Sequence, residues 1–201
     1  MTATEPVHEP ATETGTEPGT EPGRERAADR VQDAVEPIRV RRARTRDVPS
    51  MVSLVNAYAG ERILLGKERV TLYEDVQEFQ VAVDAGDAVI GCGALHVLWE
   101  DLGEVRTLAV DRRWRGQAVG HRILESLVQQ ARDVGVSRLF CLTFEVDFFA
   151  RHGFRVIDGT PVQPAVYAEL LRSLDEGVAE FLDLARVKPN TLGNTRMLRE
   201  L

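Results

Sequence analysis

The sequence predicts an α/β (α+β) fold, with a mixed central β-sheet flanked by helices and preceded by a disordered tail. Three observations lead there. Hydrophobic periodicity changes along the chain. Ile38–Arg41 alternate, and Phe79–Val83 and Ala88–Leu98 form strand-like runs. Val119, Ile123, Leu124, Leu127, Val128, Ala131 and Val134 instead recur at helical spacing. The resulting order, β–α–α–β–β–β–α–β–α–β, is hairpin-rich first and βα later, which demands a mixed sheet. Residues 1–36 have the composition of a tail. They are rich in Thr, Glu, Pro and Gly, with TEPG in tandem at Thr16–Gly19 and Thr20–Gly23, and hold little to bury.

Charge sharpens the division. The 201-residue chain carries net charge −7, but residues 1–37 hold nine acids against three arginines. The remaining residues are nearly balanced, with 23 acids and 22 bases. We therefore read residues 1–36 as a disordered acidic tail and 37–201 as one domain. A nearly neutral domain lacks the basic face of a nucleic-acid binder. No apolar run approaches the ~20 residues of a membrane span, and the start of the chain does not resemble a signal peptide. Cys92 and Cys141 sit in apolar runs and read as reduced core residues, so the expected location is cytoplasmic. The histidines are scattered, and no Cys/His cluster has ligand spacing, so no metal is expected.

Taken in order, Ile38–Arg41 form the first strand. Thr45 caps a helix whose apolar face is Val48, Met51, Val52, Val55 and Tyr58, and Gly60 ends it. A connection over Glu61–Arg69 leads to a second helix near Leu72–Phe79. The turn Asp84–Asp87 joins the next two strands. Then comes the stretch on which the functional reading rests, Glu104 to Arg122. Val105, Leu108 and Val110 make a strand, Asp111–Arg115 a polar turn, and Gly116–Gly120 the opening of a helix that Gly135 ends. A helix start leaves N–H groups unpaired and attracts anions; Arg112, Arg113, Arg115, His121 and Arg122 lie nearby. The pattern fits a pyrophosphate cradle. Leu139–Thr143 is a buried strand, Val146–His152 a short helix, and Phe154–Val156 another strand. A helix from about Pro164, a strand near Phe181–Ala185 and the segment VKPNTLGNTRMLREL complete the chain.

The stretch resembles motif A of the GNAT superfamily of acetyl-CoA-dependent N-acetyltransferases. It stands here as Val110-Asp111 followed by Arg115-Gly116-Gln117-Ala118-Val119-Gly120, with Ala118 where the family usually has glycine. FFARHGF at Phe148–Phe154 is similar to a later family motif, with Phe149 in place of the usual tyrosine. GCGALHVLWEDLGEVRTLAV, the Gly60–Arg69 connection and KPNTLGNTRML further resemble the acetyltransferase domain of N-acetylglutamate synthase, in its short stand-alone form.

The resemblance implies a GNAT fold, acetyl-CoA as co-substrate, a small amino-acid substrate and acetyl transfer to L-glutamate or L-glutamine, the first step of arginine biosynthesis. It is compatible with a homodimer. It places the cofactor against Leu108, Ala109, Val110, Arg115, Gly116, Gln117, Ala118, Val119, Gly120 and His121. Backbone N–H groups of the strand would hold the acetyl and pantetheine groups, and preorganised donors suit a developing oxyanion.

Glu104, at the acceptor end of the strand, is the candidate general base; the alternative is a solvated carboxylate. Arg106, two residues on, shares its face in a regular strand. It would grip a substrate carboxylate or pair with Glu104 itself, and a bulge would change the facing. Lys67, Asn194 and Arg196 are the other candidate substrate contacts, against the reading that they are solvated surface groups. Phe149 cannot donate a proton to the leaving thiolate. Thr143, Glu145, water or unassisted departure remain. Two rival functions stay open. One is a GNAT enzyme acting on another amine, and the other is a non-catalytic acetyl-CoA-binding module.

Overall fold

The computed structural model describes residues 38–59, 67–185 and 193–201. All belong to one compact unit, Glu36–Leu201. The predicted tail, the Gly60 helix stop and most of the connection after it lie outside the described residues, as do residues 186–192.

Seven strands form one sheet in the order β1-β2-β3-β4-β5-β7-β6. They are β1 (Arg39–Arg42), β2 (Phe79–Val83), β3 (Val89–Trp99), β4 (Leu102–Val110), β5 (Arg138–Thr143), β6 (Arg155–Val156) and β7 (Thr195–Glu200). Only β4 and β5 pair in parallel. The crossover between them is α3 (Val119–Asp133), whose stripe Val119, Ile123, Leu124, Leu127, Val128 and Ala131 is buried as its spacing predicts. α4 (Val146–Arg151) packs on the same core through Phe149. The opposite face is covered at one end by α1 (Val48–Ala59) and α2 (Arg69–Glu74). At the other end, α5 (Pro164–Leu170) and α6 (Glu176–Phe181) cover Leu98, Leu102 and Phe140.

Three local expectations are corrected. Thr45 does not cap α1. It opens a 3-10 turn, Thr45–Asp47, in which the Asp47 carboxylate accepts from Arg44 N–H at 2.8 Å and pairs with Arg41 at 2.6 Å. The second helix ends at Glu74, because Phe79 is fully buried as the first residue of β2, opposite Ala94. The apolar run near Phe181–Ala185 is not a strand. Asp175 caps α6 by accepting from Val178 N–H at 2.9 Å, and Val178, Phe181 and Leu182 recur at helical spacing into the core. The strand beside β5 is β7 instead.

Two irregularities in β4 build the site. A bulge sets Thr107 and Leu108 opposite Gly93 alone, and Thr107 takes φ +59°. Left-handed backbone costs a β-branched residue about 1–2 kcal/mol. The bulge reverses the facing of the strand. Arg106 and Glu104 point toward α6, whereas Leu108 and Val110 join Val105 in the core under α3. Parallel pairing also stops early, since only Leu102–Glu104 of β4 pair with Arg138–Phe140 of β5. Beyond Glu104 the two strands part.

Candidate active site

The gap between the diverging strands opens into a cleft of about 760 Å³ lined by Leu108, Ala109, Val110, Arg115, Gly116, Ala118, Val119, Gly120 and His121. Nine of the ten predicted cofactor residues therefore share one wall; Gln117 lies in the same turn. Asp111 N–H bonds to Ile90 O on β3 at 2.8 Å. Strand alternation then turns the N–H and C=O of Val110 to the edge that β5 has left. The Val110 carbonyl accepts from the Tyr58 hydroxyl at 2.6 Å. Tyr58, read from sequence only as part of an apolar face, thus pins the end of the strand. Arg115 Nη2 also reaches the Tyr58 hydroxyl at 3.4 Å, and its guanidinium stacks over the ring at 5.8 Å.

The turn before α3 lies along the cleft. The first helical hydrogen bond of α3 runs from Arg122 N–H to Ala118 O at 3.0 Å. The N–H groups of Val119, Gly120 and His121 precede it, without helical acceptors of their own, in residues that line the cleft. Gly116 has φ +80° and Ala118 φ +58°. Ala118 therefore holds a left-handed geometry that glycine adopts without strain. Ala118→Gly should raise unfolding stability by about 0.5–1 kcal/mol, strain relief outweighing the added freedom of the unfolded chain. Urea denaturation checks this, with acetyl-CoA affinity retained.

Glu104 is 3% exposed, and its Oε2 has no hydrogen-bond partner. Burial pushes its pKa up to about 7, against the opposing pull of the nearby Arg106, His96 and Lys67 charges. The nearest cation contact is Arg106 Nη1, at 3.9 Å. Such a carboxylate is poised to accept a proton near neutrality. Arg106 shares its face as expected, but its fork is held by others: Nη1 donates to Asp175 at 2.8 Å and Nη2 to Glu78 at 3.2 Å. Burial opposes its charge, and the carboxylates of Glu104, Asp175 and Glu78 more than restore it. Glu78 in turn meets His96 Nδ1 at 2.7 Å.

Lys67 is mostly buried, 3.5 Å from Asp75, and near enough to Glu104 to affect its ionisation. Asn194 precedes β7, whose Thr195 pairs with Thr143 at the open end of β5. Arg196 donates to the carbonyls of Gly159 (2.9 Å), Glu180 (3.2 Å) and Phe181, with its guanidinium over the Phe140 ring. It fastens the C-terminal end of α6. Phe149 packs edge-on to Phe148 and Phe154, so the residue at the tyrosine position is core. Thr143 Oγ1 accepts from Glu145 N–H at 2.9 Å, which leaves its own proton to donate. Sequence reasoning missed Glu78, Asp175, Gly177 and Glu180, all brought to β4 from distant segments. Among the described residues no group of His, Cys, Asp or Glu is placed to hold a metal, and no helix is long and apolar enough to cross a membrane.

Comparison with known proteins agrees with this geometry. Residues 49–154 match the Acetyltransferase (GNAT) family. An amino-acid acetyltransferase of Mycobacterium tuberculosis is 62% identical over 161 residues, covering 79% of this chain and 92% of that protein. The crystal structure of Rv2747 from M. tuberculosis, a complex containing CoA, superimposes with TM-score 0.79 at 61% identity. That match covers 81% of this chain and 99% of the other. N-acetylglutamate synthase from Neisseria gonorrhoeae, solved with coenzyme A and N-acetyl-glutamate, shares the fold at TM-score 0.66 and 24% identity. It matches over 82% of this chain and 35% of its own. With the splayed strands, the amide cradle and a family match over more than half its length, the chain belongs to the GNAT family of acetyltransferases.

Proposed function

We propose that the protein is a cytoplasmic enzyme that transfers acetyl from acetyl-CoA to the α-amino group of L-glutamate or L-glutamine, the first step of arginine biosynthesis. What carries the reading is the buried, neutral-range carboxylate of Glu104 at the acceptor end of the strand gap. The 62% identity to an amino-acid acetyltransferase, over nearly all of that protein's length, supports the substrate class.

In this reading the pyrophosphate lies on the amides of Val119, Gly120 and His121, beside Arg115. The thioester lies along Leu108–Val110, whose open-edge N–H groups polarise its carbonyl. Glu104 takes a proton from the ammonium, directly or through one water. The amine then attacks the carbonyl carbon; as the C–S bond breaks, Thr143 gives its hydroxyl proton to the thiolate and regains one from the N–H proton that the new amide nitrogen loses. Lys67 holds the acceptor's α-carboxylate, and Asn194, just before β7, is a second proposed contact to the acceptor. Arg106 and Arg196, whose donors are largely committed within the protein, support the site by holding Glu104 and α6 in place. The resemblance also brings a homodimer into the proposal, with no surface assigned to it.

The test is CoA release, followed with a thiol reagent, across glutamate, glutamine, aspartate, ornithine and spermidine. Saturable turnover with glutamate or glutamine alone is expected. Preference for ornithine or spermidine overturns the acceptor assignment. Bound acetyl-CoA without turnover on any amine points to a non-catalytic module.

A further inference from the structure

Helix α6 packs closely on Arg106 and Glu104 at Gly177. A Cβ on Gly177 would stand 2.6 Å from Arg106 Nη1 and 3.3 Å from Glu104 Oε2. Glu180 lies three residues further on, one turn along the same face. It is 8% exposed, and among the described residues no hydrogen bond or ion pair reaches its carboxylate. Burial, with the charges of Glu104, Glu176 and Asp175, pushes its pKa up to about 7 against the pull of Arg106. Two largely buried carboxylates thus lie close enough for the charge of Glu104 to act on Glu180, and Glu104 Oε2 has no hydrogen-bond partner. Arg106 is already shared by Glu78, Asp175 and Glu104. A buried carboxylate oxygen left unpaired, as Glu104 Oε2 is, is unfavourable, and a native site that keeps it beside a second buried carboxylate calls for an explanation. A cation arriving with the substrate supplies one.

Building on the proposed acetyl transfer, we infer that Glu180 is the second carboxylate of the acceptor-amine site: it and Glu104 bracket the substrate ammonium, and the pair carries the proton that the ammonium gives up. One N–H bond of the ammonium breaks and its electron pair stays on nitrogen for the attack. The proton forms an O–H bond on one of the two carboxylates and later passes to water. The pair therefore goes from charge −2 to −1 as the ammonium becomes a neutral amine.

The experiment uses the full chain and whichever amine the wild type acetylates best, so that a failure of the glutamate reading appears in the wild type and leaves this assignment testable. Glu180→Gln is compared with the wild type for acceptor KM, acetyl-CoA Kd and inhibition by the deaminated analogue of that amine; for glutamate this is glutarate. Removing one hydrogen-bonded charge from the ammonium should raise acceptor KM by roughly tenfold or more. Glutarate has no ammonium, so its binding should tighten when a negative charge is removed. Acetyl-CoA affinity should not change. The acidic limb of kcat/KM should move to lower pH, because Glu104 loses a like-charged neighbour. The ionisable groups around Glu180 in this respect are Glu104 and Arg106 on β4, Asp175 and Glu176 at the start of α6, and Arg196 on β7, which donates to the Glu180 carbonyl. Glu180→Asp, which keeps the charge, should recover part of the acceptor affinity and serves as the second variant should the Gln protein fold poorly. Unchanged acceptor KM in Glu180→Gln, or equal weakening of amine and deaminated analogue, overturns the assignment.

Discussion

Replacing Glu104 with Gln should lower kcat at neutral pH by about 10²–10⁴-fold, the usual worth of a positioned proton acceptor, while acetyl-CoA binds as before. The cleft proposed for the co-substrate is not lined by Glu104, so the two effects should separate in steady-state kinetics and equilibrium binding. The same variant should be the more stable protein in alkaline solution. Burial raises the Glu104 pKa from 4.5 to about 7, so the folded state holds this proton more tightly than the unfolded state. Its contribution to stability is fully present below about pH 4.5 and is lost as pH rises toward 7. Above 7 the wild type keeps a buried charge that the amide does not have. The gain is at most about 3 kcal/mol, from the size of the shift. Melting at pH 8.5 should therefore separate the two proteins more than melting at pH 5. A variant that is slower and more stable only at the higher pH would match both expectations. Unchanged turnover would remove Glu104 as the base.

Arg106→Met should have the largest effect on stability. The guanidinium is the common partner of Glu104, Asp175 and Glu78, at 3.9, 2.8 and 3.2 Å. Removing it leaves these carboxylates facing one another in a poorly solvated place, and breaking such a buried arrangement costs about 3–5 kcal/mol. Arg106 also lowers the pKa of Glu104. Without it, Glu104 holds its proton to higher pH, so the acidic limb of kcat/KM should move in the alkaline direction. Urea unfolding at pH 8 and a pH–rate profile test the two parts. Because Glu104 is protonated below 7, the loss of stability should be smaller at pH 5. If Arg106 served chiefly to grip the substrate carboxylate, the variant would instead raise acceptor KM while leaving stability and the pH limb in place.

The fold was most legible where side-chain periodicity and turn chemistry agree. The α3 stripe, the β2–β3 hairpin and the turn between Arg115 and His121 all depend on residues close in sequence. The Phe181–Ala185 run was misread because a short apolar segment serves either a helix or a strand; the Asp175 cap six residues earlier decides for the helix. Thr45 was misread because the turn begins one residue earlier, where the Asp47 carboxylate accepts from Arg44 N–H and is itself held by Arg41. Glu104 and Arg106 were placed on one face correctly, since the bulge falls just after them, at Thr107. The partners that decide their chemistry come from Glu78, Asp175 and Glu180, up to 76 residues away from Glu104, and nothing local in the sequence announces them. The geometry of Ala118 was equally hidden, because its left-handed backbone is imposed by the cradle rather than favoured by alanine.

The central claim is that a buried carboxylate with neutral-range ionisation receives the acceptor's proton. The most direct test is the pH dependence of kcat/KM for the preferred amino acid in the wild-type enzyme. The account predicts a rise of about tenfold per pH unit on the acidic side, levelling off near pH 7, where Glu104 ionises. A rate that is flat from pH 5 to 8 would contradict it.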